Sequence, residues 1–352
     1  MLLDDPQRLA ALDASGMLHC LHDLPDVALS SFEGGASQAL PIATPKLILV
    51  CGMGGSAISG DLLRTLALAT CSAPIMVHRG DRLPAFVDSA CLVVVMSYSG
   101  NTAESLGCLH DALERQVPLV VISSGGEASK LAHSHKRSLL TIPGGKQPRA
   151  ALGELFFSLL GLTSPLTGIT EEDVRSTVRA LVRLRQQIDV SVPLTDNPAK
   201  ALAMACHGRR ILIAGTTPIS EAIANRWKCQ FNENAKLTVQ LATFPELTHN
   251  DVVNLLDASD PTEMALVFAD PEDSTLIRRQ RQICLDLFKE KGLLIEVLGA
   301  IGDTALERCL SSVYLGDYVS VYLAFLKNVD PTPVDAITRL KTRMQSIAES
   351  AR

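Results

Sequence analysis

Short unbroken apolar runs recur along the chain, each ending in a polar turn that leads into a segment of helical periodicity. In the first half these runs are 47–51, 75–77, 91–96, 118–122 and 139–142. Runs of this length without apolar/polar alternation predict strands buried on both faces, as in a parallel sheet covered by helices. The first run meets Gly52-Met53-Gly54-Gly55-Ser56 and a helix predicted over 57–69. The third meets Ser97-Tyr98-Ser99-Gly100-Asn101-Thr102 and a helix through Arg115. Asn101, with Glu104 three residues on, reads as a cap pair for that helix. Strands alternating with helices predict an α/β fold.

The pattern then repeats. Helical segments are predicted over 150–162, 171–188 and 198–207, after which 210–218 echoes the strand and turn of 46–56. Thr217 suits a helix cap with Pro218 at the first helical position. The runs 264–270 and 293–297 stand where 91–96 and 118–122 stand in the first half. The expectation is two similar αβα subdomains with parallel sheets, 46–165 and 208–330, joined by a helical connector over 166–207. Residues 1–45 are predicted as a helical lead-in, with Leu9, Leu12 and Leu18 on one face and a Pro-, Gly- and Ser-rich connection over 23–45. Residues 331–352 read as a closing amphipathic helix. The second half lacks the Gly-Gly-Ser and Ser-x-Ser loops, so the anion site is expected in the first half and another role in the second.

Composition narrows the function classes. The formal net charge of −6 disfavours nucleic acid as the main ligand, which needs a basic face. Nine Cys without a C-x-x-C pair read as reduced thiols of a cytoplasmic protein. The opening MLLDDPQRLA lacks the pattern of a secretory signal, and no apolar run is read as reaching the roughly 20 residues of a membrane helix. His19, Cys20 and His22, or His133 and His135, lack further ligands at a recognisable spacing, so no metal is expected.

Both polar loops follow strands and precede helices, where an open parallel sheet binds ligands. Helix N-termini there present free N–H groups and a positive dipole end. Gly54 and Gly55 allow close backbone approach, and Ser56, Ser97, Ser99 and Thr102 would add hydroxyl donors. That set suits a phosphate without any basic cluster. Either loop alone would pass as an ordinary tight turn or cap. Gly52-x-Gly54-x-x-Ala57 also fits the dinucleotide fingerprint formally, but Asp81 arrives late, after Arg79, for a ribose contact. No nucleotide-triphosphate loop is present.

These loops resemble the phosphate loops of sugar isomerase (SIS) domains. Gln147-Pro148-Arg149, Phe231-Asn232-Glu233-Asn234-Ala235-Lys236, Glu246-Leu247-Thr248-His249-Asn250-Asp251 and the ending 330–341 extend the likeness. Taken in order over about 46–341, the set resembles the bifunctional phosphoglucose/phosphomannose isomerases. The resemblance implies two SIS-type, flavodoxin-like subdomains. It implies interconversion of glucose 6-phosphate and mannose 6-phosphate with fructose 6-phosphate through an enediol, with neither metal nor nucleotide cofactor. Phosphate would be held by Gly54, Gly55, Ser56, Ser97, Ser99 and Thr102, and chemistry carried by Glu233, His249, Arg149 and Lys341. It further implies a homodimer in which His249 acts across the interface, and it makes Thr332 a candidate for admitting the mannose epimer. Asp251 replaces the family's usual Glu.

The chemistry suits these side chains. A carboxylate such as Glu233 can shuttle a proton between C2 and C1, and a guanidinium such as Arg149 can stabilise the enediolate. His249 with Lys341 could open the sugar ring. The alternative reading is a non-catalytic sugar-phosphate sensor. Residues 1–45 are too short and acidic to supply the DNA-binding output such a sensor would carry.

Overall fold

The computed structural model describes residues 2–257 and 262–350. Three helices lead in: α1 (Pro6–Leu12), α2 (Met17–His22) and α3 (Leu24–Ala36). The first unit runs β1 (Leu47–Cys51), α4 (Gly54–Ala67), β2 (Ile75–His78), β3 (Cys91–Ser97), α5 (Ala103–Glu114), β4 (Leu119–Ser123), α6 (Gly126–Ser134) and β5 (Ser138–Thr141). Helices α7 (Leu152–Thr167), α8 (Glu171–Ile188) and α9 (Pro198–Cys206) follow. The second unit runs β6 (Arg210–Thr216), α10 (Glu221–Glu233), β7 (Val239–Phe244), α11 (Asp251–Asp257), β8 (Glu263–Ala269), α12 (Thr275–Glu290) and β9 (Leu294–Gly299). Helices α13 (Ala305–Leu326) and α14 (Asp335–Ser350) close the described chain.

Every strand pairs in parallel, in the orders β2-β1-β3-β4-β5 and β7-β6-β8-β9. In each sheet the chain steps outward from its first strand and returns on that strand's other side. The carboxyl ends of β1 and β3, and of β6 and β8, therefore border a switch-point crevice.

Side-chain alternation assigns the layers. From β1 and β3, Ile48, Val50, Leu92, Val94 and Met96 enter one core, and Leu47, Leu49, Cys51, Val93 and Val95 another. The former core is continuous with Ile211, Ile213, Leu266 and Phe268 of the second sheet. The two sheets thus share a central helical layer containing α4, α7, α10 and α13. Each has its own outer layer, α5 and α6 on the first and α11 and α12 on the second.

Four local expectations change. The stretch 23–45 carries the helix α3, although Gly34-Gly35 read as a breaker. A Cβ on Gly35 would fall 2.1 Å from the Ser158 carbonyl oxygen, and one on Gly161 would fall 2.0 Å from that of Phe32. These glycines let α3 and α7 cross backbone to backbone. Replacing Gly161 by Val is expected to cost about 3 kcal/mol through overpacking, measured by urea unfolding; a loss under about 1 kcal/mol would contradict so close a crossing.

Thr217 does not cap a helix at Pro218. The Thr217–Pro218 bond is cis, and α10 starts at Glu221 with Ser220 at the cap position. Thr102, not Asn101, stands at the cap position of α5, without a side-chain capping bond, and Asn101 Oδ1 accepts the Glu127 N–H at 3.0 Å. Finally, α13 is a 22-residue helix of mean hydropathy 1.4, long and apolar enough to cross a membrane by composition. In the fold it is 89% buried, with Glu307, Arg308 and Asp317 paired inside. A helix enclosed on all sides needs no polar face.

Candidate active site

The first crevice is built by backbone geometry. Gly54 takes φ +50°, and α4 begins there without a side-chain cap from Met53. Gly100 takes φ +68°, and a Cβ on it would meet the Gly125 carbonyl oxygen at 1.8 Å. The loop after β3 is thus seated on the loop after β4. Ser124 Oγ also donates to the Tyr98 carbonyl at 2.6 Å, and the Tyr98 hydroxyl accepts the Lys146 N–H at 2.9 Å.

Hydroxyls are left over in this crevice. Ser97 Oγ is buried with no partner among the described residues. Thr102 precedes α5 without a capping hydrogen bond from its side chain. Ser99 is exposed and accepts the Asn101 N–H at 3.2 Å, and Ser56 lies buried in the first turn of α4. Two helix N-termini and four hydroxyls thus lie on the segments that follow the adjacent strands β1 and β3 or end them, a neutral donor set suited to an anion. A buried donor without a partner costs about 1–3 kcal/mol, which a ligand oxygen at Ser97 would relieve.

Arg149 joins this crevice through its neighbour. A Cβ on Gly55 would come 2.7 Å from the Pro148 carbonyl oxygen and 3.5 Å from Arg149 Cα. The Arg149 guanidinium is buried and held on three sides. Nε donates to Asn234 Oδ1 at 2.7 Å, and one Nη donates to the Pro331 and Thr332 carbonyls at 2.8 and 2.7 Å. The other Nη lies 3.6 Å from Glu233 Oε2. That separation is an ion pair without a hydrogen bond. Burial pulls the Arg149 guanidinium below its ordinary range, with Glu233 opposing. The Glu233 side chain keeps 30% of its surface open.

A deeper network fixes the arginine. Arg226 donates to the Arg149 carbonyl at 2.6 Å and forks onto Asp317 at 3.0 and 2.8 Å, all buried. Asn234 Nδ2 donates to Ser320 Oγ at 2.8 Å. Burial pushes the Asp317 carboxyl up, and the charge and hydrogen bonds of Arg226 oppose it. Lys236 takes φ +50° and donates to the carbonyls of Glu233, Asp330 and Pro331 at 2.8, 3.1 and 3.0 Å, tying α10 to the segment before α14. Thr332 Oγ1 is buried without a partner among the described residues.

Arg149, Glu233 and Thr332 are therefore neighbours, although up to 183 residues separate them. His249 and Lys341 are not brought to them. His249 ends an exposed turn after β7, and Lys341 lies on the exposed α14. Sequence reasoning missed Lys146 and Glu154. Lys146 Nζ meets the buried Glu154 at 2.8 Å, below the loop carrying Tyr98. Burial works against the Lys146 charge, but the Glu154 hydrogen bond and charge outweigh it and raise its pKa. An acid inside the otherwise apolar α7 was the available signal. The supporting residues Arg226 and Asp317 carried no motif at all.

Comparison with known proteins points the same way. A family profile described as the bacterial phospho-glucose isomerase C-terminal SIS domain matches residues 195–344. A bifunctional phosphoglucose/phosphomannose isomerase of Caldicellulosiruptor bescii is 35% identical over 95% of this chain and 100% of its own length. One of Thermoplasma acidophilum is 33% identical over 93% and 98%. The crystal structure of a hypothetical protein from Thermus thermophilus aligns over 97% of this chain and 94% of its own, with a TM-score of 0.75 at 15% identity.

Proposed function

Because this chain belongs to the family of bifunctional phosphoglucose/phosphomannose isomerases, we propose that it interconverts glucose 6-phosphate and mannose 6-phosphate with fructose 6-phosphate at the first switch point. The observation that carries this reading is a rigid buried guanidinium ion-paired at 3.6 Å with an open carboxylate that accepts no hydrogen bond from it, beside spare hydroxyls near two helix N-termini.

The substrate phosphate is held by Ser56, Ser97, Ser99, Thr102 and the backbone of Gly54 and Gly55. Binding there orients the reacting carbons without touching them. Glu233 takes the proton from C2 of the open-chain aldose. The C–H electron pair forms the C1–C2 double bond, and the C1 carbonyl oxygen gains charge and then a proton. Arg149, unable to move, stabilises that developing charge at no reorganisation cost. The C2 hydroxyl then gives up its proton to replace the one taken up at O1, its electrons form the C2 carbonyl, and the double-bond pair takes the Glu233 proton at C1, which gives the ketose. The enediol is planar at C2, so protonation from either face in the reverse direction yields either epimer. Thr332, whose hydroxyl is unspent, is a candidate for choosing between them.

Ring opening is assigned to His249 and Lys341. Their exposed positions support a site completed on assembly, with His249 entering from a second copy in a homodimer. The sensor alternative has no observation in its favour.

Two measurements check this reading. Coupled assays with EDTA present should detect fructose 6-phosphate from both aldose phosphates; no turnover of either would remove the proposal. Ser97→Ala should raise KM by about tenfold with kcat within about threefold, because phosphate binding is shared by ground and transition states. An unchanged KM would place the phosphate elsewhere.

A further inference from the structure

The second switch point has the same frame as the first. Cys51 pairs with Val95 where β1 meets β3, and Ala214 pairs with Val267 where β6 meets β8. Aligning these pairs puts Gly52 on Gly215. It also puts Thr102, the residue before α5, on Ser274, the residue before α12. Core assignments agree, since Cys51 and Ala214 enter outer cores and Met96 and Phe268 the central one. In this register Ser97-Tyr98-Ser99-Gly100-Asn101-Thr102 matches Ala269-Asp270-Pro271-Glu272-Asp273-Ser274. In the second loop Ala269 and Pro271 stand in place of Ser97 and Ser99, Ser274 keeps the hydroxyl before the helix, and carboxylates occupy the positions of Tyr98, Gly100 and Asn101.

One of those carboxylates sits as a ligand would. Asp273 is 3% exposed, and its Oδ1 accepts the Thr216 hydroxyl at 2.7 Å. Its Oδ2 accepts the Asp270 N–H at 3.0 Å and a guanidinium hydrogen of the buried Arg281. Ser220 Oγ, 3.0 Å from Thr216 Oγ1, supports that hydroxyl from below and accepts the Thr216 N–H at 2.8 Å. Hydroxyl, loop amide and arginine at a strand tip form an oxyanion cradle, and the oxyanion in it belongs to the chain. The neighbouring carboxylates are occupied separately, with Asp270 and Glu272 both on Arg308.

We propose that the second unit carries an oxyanion-binding cradle at its switch point, filled from within by the Asp273 carboxylate, and that vacating it opens a site for a small free oxyanion such as formate or inorganic phosphate. This explains in physical terms why one chain with two similar sheets offers a phosphosugar a single site. It does not depend on which reaction the first unit performs.

The test uses thermal unfolding of the full chain. Asp273→Gly removes the carboxylate and leaves Arg281 buried without its partner, so Tm falls by about 5 °C or more. Formate, and more weakly phosphate, on the order of tens of millimolar should recover at least half of that loss, and chloride at matched ionic strength much less. Wild type and Asp273→Asn, in which the cradle stays full, should show no preference for formate over chloride. Equal responses to formate and chloride in Asp273→Gly, or the same formate preference in wild type, would overturn the proposal. Should Asp273→Gly be recovered unfolded, refolding yield in formate against chloride reads the same preference, and equal yields count against it. Asp273→Gly combined with Arg281→Leu should lose the formate response, and a retained response would also overturn the assignment.

Discussion

Glu233→Gln should lower kcat toward glucose 6-phosphate and mannose 6-phosphate alike, by about a thousandfold, the range expected for loss of a positioned general base. The amide fills the same volume and still faces the Arg149 guanidinium, but it cannot take a proton. The carboxylate it replaces has no hydrogen bond to Arg149 at 3.6 Å, so little structure is lost with it. Binding of fructose 6-phosphate, read by calorimetry, should change by less than about tenfold because the hydroxyls proposed to hold the phosphate lie on other loops. Loss of kcat with binding intact separates a catalytic group from one that merely supports the pocket. A variant keeping more than about a tenth of wild-type turnover would remove Glu233 from the proton-transfer role.

The largest stability effect is expected at Asp317. Its carboxylate is fully enclosed and is the charge partner of Arg226, whose side chain is only 2% exposed. Asp317→Ala leaves that guanidinium buried and unpaired, which costs about 3–5 kcal/mol. Against a typical domain stability of about 5–15 kcal/mol this is a large share. Combining Arg226→Met with Asp317→Leu should recover much of the stability, since an apolar pair of similar size needs no desolvation offset. It should not recover activity. Arg226 donates to the Arg149 carbonyl at 2.6 Å, and without it the arginine beside Glu233 loses its backbone anchor. Stability recovered in urea unfolding with kcat still depressed would mark Arg226 as a positioning residue. A loss below about 1 kcal/mol in Asp317→Ala would show that the pair behaves like an exposed one.

The same network shows why Arg149 cannot be exchanged for Lys without consequence. Its planar fork spends Nε on Asn234 and one Nη on two carbonyls, leaving the other Nη for Glu233. A lysine ammonium has no geometry that serves three directions at once.

Elements that depend on local pattern were legible before any coordinates. The strands β1 and β3 were readable as unbroken apolar runs, and α8 was readable from its periodicity, with Thr170 and Asp173 completing a capping box at its start. Elements that depend on what lies opposite were not. Gly34 and Gly35 look like a break until Ser158 is placed against them. β7 escaped notice because its exposed Gln240 interrupts an edge strand. Nothing along the chain marked α13 as a central helix, because a helix buried on every side shows no amphipathic stripe.

The linear order of residues by itself determined the kind of strand, the glycine turns that follow, and the hydroxyls able to face an anion, because each rests on neighbours within one turn or one loop. Only the folded chain decided that Arg149 meets Glu233 and the Thr332 carbonyl, that Asp317 stands behind them, and that Asp273 closes the second crevice. Those contacts join residues remote in sequence through the packing of α10 and α13 between two sheets. Proximity of that kind is set by the sum of core burial and not by any local preference.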